Sequence, residues 1–486
     1  MRPHLLIPVS IVLAALLYVP ASFAGTLLVG TARTSITPSE PVAICGQFAL
    51  RIARDVETPV TANVIALESR VGDQLQDLAI MVSCDVVYIP SDLLEMVRRQ
   101  VHGQLPDLDT KKIFLNGTHT HTAPVLVPGK YKIPKEGVMQ VDAYRKFFAQ
   151  RVGDAIVKAW KGRVPGSVTW GLSDAVVAYN RRSVYADGTA RMYGPTNVAE
   201  FRNLEGYEDH DINTLFFWNE AGTLIGAAVN VSCPTQEVEA RSTINADFLH
   251  PVRQSLYKKY GDQLCVLGWV GAAGDQSPHL MYRKAADERM RNLRKLDRLY
   301  EIARRIVRAV DEAYEVVQND RHADVPLVHH TQVIKLPMRL VKESEYEEAK
   351  RACEEAEAAM KKDPAAAAKV YRRLKWYEVT VQRYEAQQAN PKPTLDTELH
   401  VVRIGDAVLC TNAFEFFTDY GIRIKARSKA VQTFVIQLVG PGTYLPTEKA
   451  VRGGHYSAVV HSSLVGPEGG QMIVDRTVEE IDALFE

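Results

Sequence analysis

Along this chain apolar positions recur in two rhythms, and each predicts a different element. Nearly continuous apolar runs at 26–30, 64–67, 78–85, 112–115, 224–232, 264–270, 399–404, 407–410 and 434–439 read as strands, several covered on both faces. Helical spacing fills the gaps at 91–101, which opens on Ser91 and Asp92, and at 141–161 and 249–260. Strands at 168–171 and 214–218 flank a polar loop carrying Asn180, Arg181, Arg182 and Ser183. This alternation predicts an α/β fold of mixed β-sheets flanked by helices. Two charged segments break the rhythm. Residues 283–317 carry Leu293, Leu296, Leu299, Ile302, Ile306 and Val310 at helical spacing. Residues 343–388 are also helical, with a break at Asp363-Pro364. The second segment reads as a long helical hairpin inserted at about 343–390, a scaffold addition rather than a partner-binding coil.

Composition narrows the class. Hydrophobic residues make up 46% and charged residues 24% of the 486, ordinary for a globular protein. The 58 basic and 58 acidic side chains cancel, so no global field favours nucleic acid, and no obligatory protein partner is indicated. Arg2 and His4 precede an apolar run from Leu5 to Val19, followed by Ser22-Phe23-Ala24. That pattern predicts a signal peptide at 1–24, cut after Ala24, and a secreted or periplasmic chain at 25–486; an uncleaved anchor is the alternative. Of the six cysteines, Cys84, Cys265 and Cys410 lie in apolar runs and read as core residues. A disulfide scaffold is not expected, although one bridge is allowed.

Chemistry gathers in loops expected at the carboxyl ends of strands. The first is Thr118-His119-Thr120-His121-Thr122-Ala123-Pro124, after an apolar run ending at Leu115. On an extended backbone residues i and i+2 face one side, so His119 and His121 can address one cavity, and neutral imidazole is a common zinc ligand. The bland reading is two surface histidines at a strand end. A metallo-β-lactamase site needs an Asp-His pair where Ala123-Pro124 stands. The other stretches are the Asn180-Arg181 loop, Cys233-Pro234-Thr235-Gln236, Gly274-Asp275-Gln276-Ser277-Pro278, and Glu415 with Tyr444. Ser277 is not on a Gly-x-Ser-x-Gly elbow, because Asp275 lies two residues before it. Asn116 and Asn230 match the glycosylation sequon but are expected to be buried. His329-His330 reads as a strand or loop surface. Asp85 and Asp247 read as helix caps or as carboxylates behind the site.

Taken together, these motifs resemble the neutral/alkaline (non-lysosomal) ceramidase family of zinc-dependent amidases. The histidine run is similar to the family's Thr-His-Thr-His-Ser-Gly-Pro, and Gly274-Asp275-Gln276-Ser277-Pro278 to its Gly-Asp-x-Ser-Pro-Asn, with His279 for the asparagine. Phe414-Glu415-Phe416 resembles its Gly-Glu-Phe. Thr443-Tyr444-Leu445-Pro446-Thr447-Glu448 resembles its Gly-Tyr-Val-x-Thr-x-Glu, one residue tighter. The resemblance implies Zn2+ as cofactor, held by His119, Glu415 and Tyr444. It implies His121 facing the substrate carbonyl and Arg181 in the substrate site. Ser277 would be the nucleophile or the grip on a substrate hydroxyl.

The chain departs from that pattern in three ways. Cys233 stands where the family has its second zinc histidine; it reads as a thiolate ligand, a buried thiol or a nucleophile. The family's C-terminal β-sandwich is not expected here, and the helical hairpin is extra. The expectation is therefore an exported zinc-dependent hydrolase cleaving an amide such as that of an N-acyl lipid, ceramide being one candidate, with peripheral membrane contact allowed. The alternatives are a zinc hydrolase for a glycan-linked or other non-sphingolipid substrate, and a binding protein on the same fold.

Overall fold

The computed structural model describes residues 25–486, so the expected signal peptide lies outside the described residues. Nine strands form the larger sheet. Its main path runs Cys265–Val270, Leu224–Val231, Asp211–Asn219, Val164–Asp174, Gly25–Ser35, Thr61–Val71, Gln74–Cys84 and Ile113–Gly117. A second sheet joins Leu327–Pro337, Thr394–Ile404, Ala407–Thr411 and Gln432–Ile436 in that order. The sheets stack face to face. Between them lie Leu27, Ile65, Met81, Phe114, Phe217 and Trp269 from one side and Val402, Leu409, Phe434 and Ile436 from the other.

The strands alternate as a period of two requires. Ile65 and Leu67 face the second sheet, whereas Val64 and Ala66 face helices Ser91–His102 and Val141–Lys161. Helices Leu249–Tyr260 and Arg298–Val317 cover the rest of that outer face against Phe216, Val229 and Val266. Helices Thr418–Arg427 and Pro467–Leu484 cover the second sheet against Val401, Val408 and Cys410. Four layers result, α/β/β/α.

Most neighbours in both sheets are antiparallel, but three pairs are parallel, each connected through a helix. They are Gln74–Cys84 with Ile113–Gly117, Leu224–Val231 with Cys265–Val270, and Ala407–Thr411 with Gln432–Ile436. A parallel pair puts both carboxyl ends on one edge. His119, Gln236, Ser277, Glu415 and Tyr444 all lie shortly after such ends.

Several expectations are met and others corrected. The hairpin forms as Glu343–Lys362 and Ala367–Ala389, broken at Asp363-Pro364. The long charged segment before it is two helices, Lys284–Arg294 and Arg298–Val317, separated where Lys295 adopts φ +57° and Asp297 caps Tyr300. All six cysteines are free. Asn116 and Asn230 are buried, their amides donating to Gly268 O and Val435 O. Asp85 makes a buried two-oxygen pair with Arg253 at 2.9 and 2.7 Å beneath the histidine run. Among the described residues no helix is long and apolar enough to cross a membrane.

His329 is the clearest miss: only 1% exposed, it lies between the sheets, and only His330 faces outward. Its Nε2 is 2.9 Å from His400 Nδ1, and His400 Nε2 is 2.9 Å from Glu398. Arg98 closes the chain on Glu398 at 2.6 Å. Burial works against the Glu398 charge, but the bonds from His400 and Arg98 win and hold its pKa down at about 2. A depressed carboxylate stabilises above its unfolded pKa, ~4.3, and that contribution disappears as pH falls through the folded value. The stability difference between wild type and Glu398→Gln should therefore be constant above about pH 5 and shrink towards pH 2. Denaturant midpoints measured across that range check it; a difference independent of pH would contradict the assignment.

Candidate active site

The strand before the histidine run ends at Gly117, so strand alternation is not what brings the imidazoles together. His119 instead takes a left-handed backbone, φ +69°, while its N–H donates to Val86 O at 2.9 Å. Such a conformation is uncommon for a residue with a Cβ and persists where the surroundings enforce it. The rings end 4.8 Å apart between centroids, with Nε2 to Nε2 at 3.2 Å. Gly46 makes room for this, since a Cβ there would sit 2.4 Å from the His121 ring.

Each ring is oriented from its far side. His119 Nδ1 is 3.0 Å from Val87 O, and a carbonyl only accepts, so Nδ1 carries the proton and Nε2 offers a lone pair. Burial, helped by His121, lowers the His119 pKa and keeps the ring neutral. His121 Nδ1 lies 2.8 Å from Glu239 Oε2, off the ideal hydrogen-bond line, and Gln236 Nε2 approaches its Nε2 at 3.2 Å. Two lone pairs facing at this distance repel unless a cation lies near them.

Glu415 completes this end. Its Oε2 is 3.5 Å from His119 Nε2 and 3.9 Å from Arg181 Nη2. Burial raises the Glu415 pKa, partly opposed by Arg181 and Tyr444. Gly274 lets the two loops touch, because a Cβ there would meet Glu415 O at 2.2 Å. Arg181 is wholly buried and gathers acceptors from four other segments. They are Gly274 O at 2.9 Å, Gln236 Oε1 at 3.0 Å, Tyr193 OH at 3.2 Å and Tyr444 OH at 3.4 Å. Burial disfavours its charge, but Tyr444, Tyr193 and Glu415 more than offset this, so its pKa rises. Arg182, next in sequence, turns the other way, pairing with Glu205 at 2.7 Å and holding Tyr456 O at 3.1 Å.

Ser277 is buried, its Oγ 3.0 Å from Tyr193 OH and 3.1 Å from the His279 N–H. Among the described residues no imidazole or carboxylate hydrogen-bonds to it, which a nucleophile paired with a base would require. Through Tyr193 it connects to Arg181 and Gln236.

The expected sphere of His119, Cys233, Glu415 and Tyr444 does not close. The Cys233 thiol faces Val177 O at 3.5 Å and Pro234 O at 3.7 Å, and its side chain joins the apolar cluster with Val177, Phe248 and Val252. Burial, then Asp247 and Glu237, raises its pKa well above the usual thiol value and opposes a thiolate. Among the described residues no three His, Cys, Asp or Glu side chains group closely enough to hold a metal. A metal here would rest on His119 and Glu415 with a phenol, Tyr444, as third donor. The other sequence-selected residues, His119, His121, Arg181, Glu415 and Tyr444, do come together. Gln236 ends the Cys233-Pro234-Thr235-Gln236 stretch but is given no role by the sequence, and Tyr193 and Glu239 lie outside every stretch that the sequence marks. Glu239 follows Gln236 closely, and Tyr193 carries no local signal.

Comparison with known proteins follows the fold. No family model matches the chain, and no curated protein matches it in sequence. Solved structures do match. A crystal structure of neutral ceramidase from Pseudomonas aeruginosa aligns with a TM-score of 0.68, covering 94% of this chain and 75% of that one at 15% identity. A ceramidase complexed with C2 aligns at 0.66, covering 95% and 75% at 14% identity. The chain therefore has the neutral ceramidase fold.

Removing a cation so thoroughly buried strands its partners. Arg181→Leu should cost about 3 kcal/mol of stability, with part recovered in Arg181→Leu/Glu415→Gln, where the unmatched carboxylate is gone. Denaturant unfolding of both variants tests this, and strictly additive losses would show that the two groups do not interact.

Proposed function

We propose that this chain is an exported zinc-dependent amide hydrolase. The observation that carries the reading is the meeting of His119 Nε2, His121 Nε2 and Glu415 Oε2 at one cavity, with Tyr444 and Arg181 beside them. The likeness of fold to neutral ceramidases supports it. The donor chemistry fits zinc: a histidine whose other nitrogen donates to a backbone carbonyl, a carboxylate, and a phenol. When bound there, zinc would polarise the amide carbonyl and lower the pKa of bound water.

The protein's own groups do the rest. His121, backed by Glu239, takes the proton from the attacking water as its oxygen bonds to the carbonyl carbon. The same proton passes to the amide nitrogen as the carbon–nitrogen bond breaks, releasing amine and acid. Arg181 holds Tyr444, Gln236 and Tyr193 in place and keeps positive charge beside the developing oxyanion. Ser277, with two donors on its oxygen and no base beside it, orients substrate instead of attacking it.

Two measurements test this reading. The purified, zinc-supplemented protein should carry about one zinc per chain. His119→Ala should lose it and Cys233→Ala should keep it; a zinc-free protein whose activity survives His119→Ala sinks the proposal. Ser277→Ala should lower kcat/KM by ~10-fold to 100-fold, the loss of one hydrogen bond to substrate, with the fold intact. Complete loss of turnover with substrate binding unchanged by calorimetry would instead make Ser277 the nucleophile.

A further inference from the structure

Beyond the histidines, the same cavity is lined by Lys130 and Arg372, and hydrolysis of a neutral amide uses neither. Lys130 follows the histidine run, and its Nζ donates to Tyr88 OH at 2.8 Å. Arg372 comes from the inserted hairpin, on helix Ala367–Ala389, with its guanidinium 5.7 Å from the Phe48 ring centroid. Neither is within ion-pair distance of a carboxylate among the described residues. Four other interior cations are matched by carboxylates, Arg98 by Glu398, Arg163 by Glu68, Arg182 by Glu205 and Arg253 by Asp85, whereas among the described residues Arg339 and Arg383 lack one but donate to backbone carbonyls outside this cavity. Among the described residues the one acidic side chain lining the cavity is Glu415, already engaged by Arg181, Tyr444 and His119.

Two like charges sharing a cavity repel, and Arg372 does oppose protonation of Lys130. Burial is the largest opposing effect, and the net direction for Lys130 is upward through Cys45 and Tyr88. Such an arrangement lowers stability unless an anion lies between the cations, and sites that trade stability in this way are binding sites. The cavity is also small, about 170 Å³, beside shelves of Phe48, Trp376 and Tyr456 packed 5.6 to 6.0 Å apart between centroids. A volume of ~150 Å³ holds one benzene-sized group, and drug-sized ligands occupy ~300–1,000 Å³. Most of a two-chain lipid would remain outside.

We infer that the substrate is a small amide bearing an anionic group, a carboxylate or sulfonate, which Lys130 and Arg372 hold while its carbonyl lies against His119 and His121. This rests on the amide-hydrolase reading and names the substrate class for it. The hairpin, on this account, supplies specificity through Arg372 and an aromatic wall through Trp376.

The test compares N-acetyltaurine with neutral N-acetylethanolamine on the zinc-loaded protein, by turnover and separately by calorimetric binding. The anionic compound should be favoured at least tenfold in kcat/KM, chiefly through KM, with the preference falling as salt rises. Lys130→Met and Arg372→Met should each cost it at least fivefold more than the neutral compound, while leaving thermal stability equal or higher. Equal handling of both amides, with turnover present, overturns the anion site and leaves the hydrolase reading standing. Selective anion binding without hydrolysis of either compound leaves the anion site standing and overturns the hydrolase reading. Vesicles with anionic headgroups form a third arm. Sedimentation with them that is lost in Lys130→Met would place the anion on a lipid surface and overturn the small-amide assignment.

Discussion

A guanidinium without access to water must find acceptors, and satisfying Arg181 is what ties this site together. Its partners come from Gly274, Gln236, Tyr193 and Tyr444, with Glu415 slightly farther away. Those groups belong to loops that follow different strands. The shared cation fixes these loops against one another, beside the cavity that His119, His121, Glu415 and Tyr444 line. The cost of burying the charge is offset only when every partner is present, so the arrangement is close to all-or-none.

The fold makes that meeting feasible. Three parallel strand pairs lie within otherwise antiparallel sheets, and their carboxyl ends open towards one place. The histidine run leaves the first pair, Gln236 and Ser277 follow the strands of the second, and Glu415 and Tyr444 those of the third. Each pair needs its own crossover helix, which explains the helical layers over both outer faces. The left-handed backbone at His119 and the missing Cβ at Gly46 are local adjustments that this convergence enforces.

Much of this was legible in the sequence because apolar periodicity reports burial directly. The α/β class and the hairpin with its break at Asp363-Pro364 follow from it, and the buried asparagines follow from their place beside the candidate site. Periodicity also locates the loops that carry the chemistry, since strands end where apolar runs end. Side-chain direction was not legible. Cys233 lies in the expected loop, yet an apolar thiol gains more from the cluster around Val177 than from a polar cavity. His329 read as surface because its partner, His400, is far away in sequence and next to it in space. Tyr193 and Arg372 were silent for the same reason. Nothing local marks a residue whose function depends on a distant strand end, and a solvated hairpin looks like scaffold until its inner face meets the cavity.

The central claim is a metal held by His119, Glu415 and Tyr444 while Cys233 stands apart. X-ray absorption at the zinc edge of the loaded protein examines that coordination sphere most directly. The account predicts a sphere of nitrogen and oxygen ligands only, at ~2.0–2.2 Å. A sulfur scatterer at ~2.3 Å would put Cys233 on the metal and contradict it.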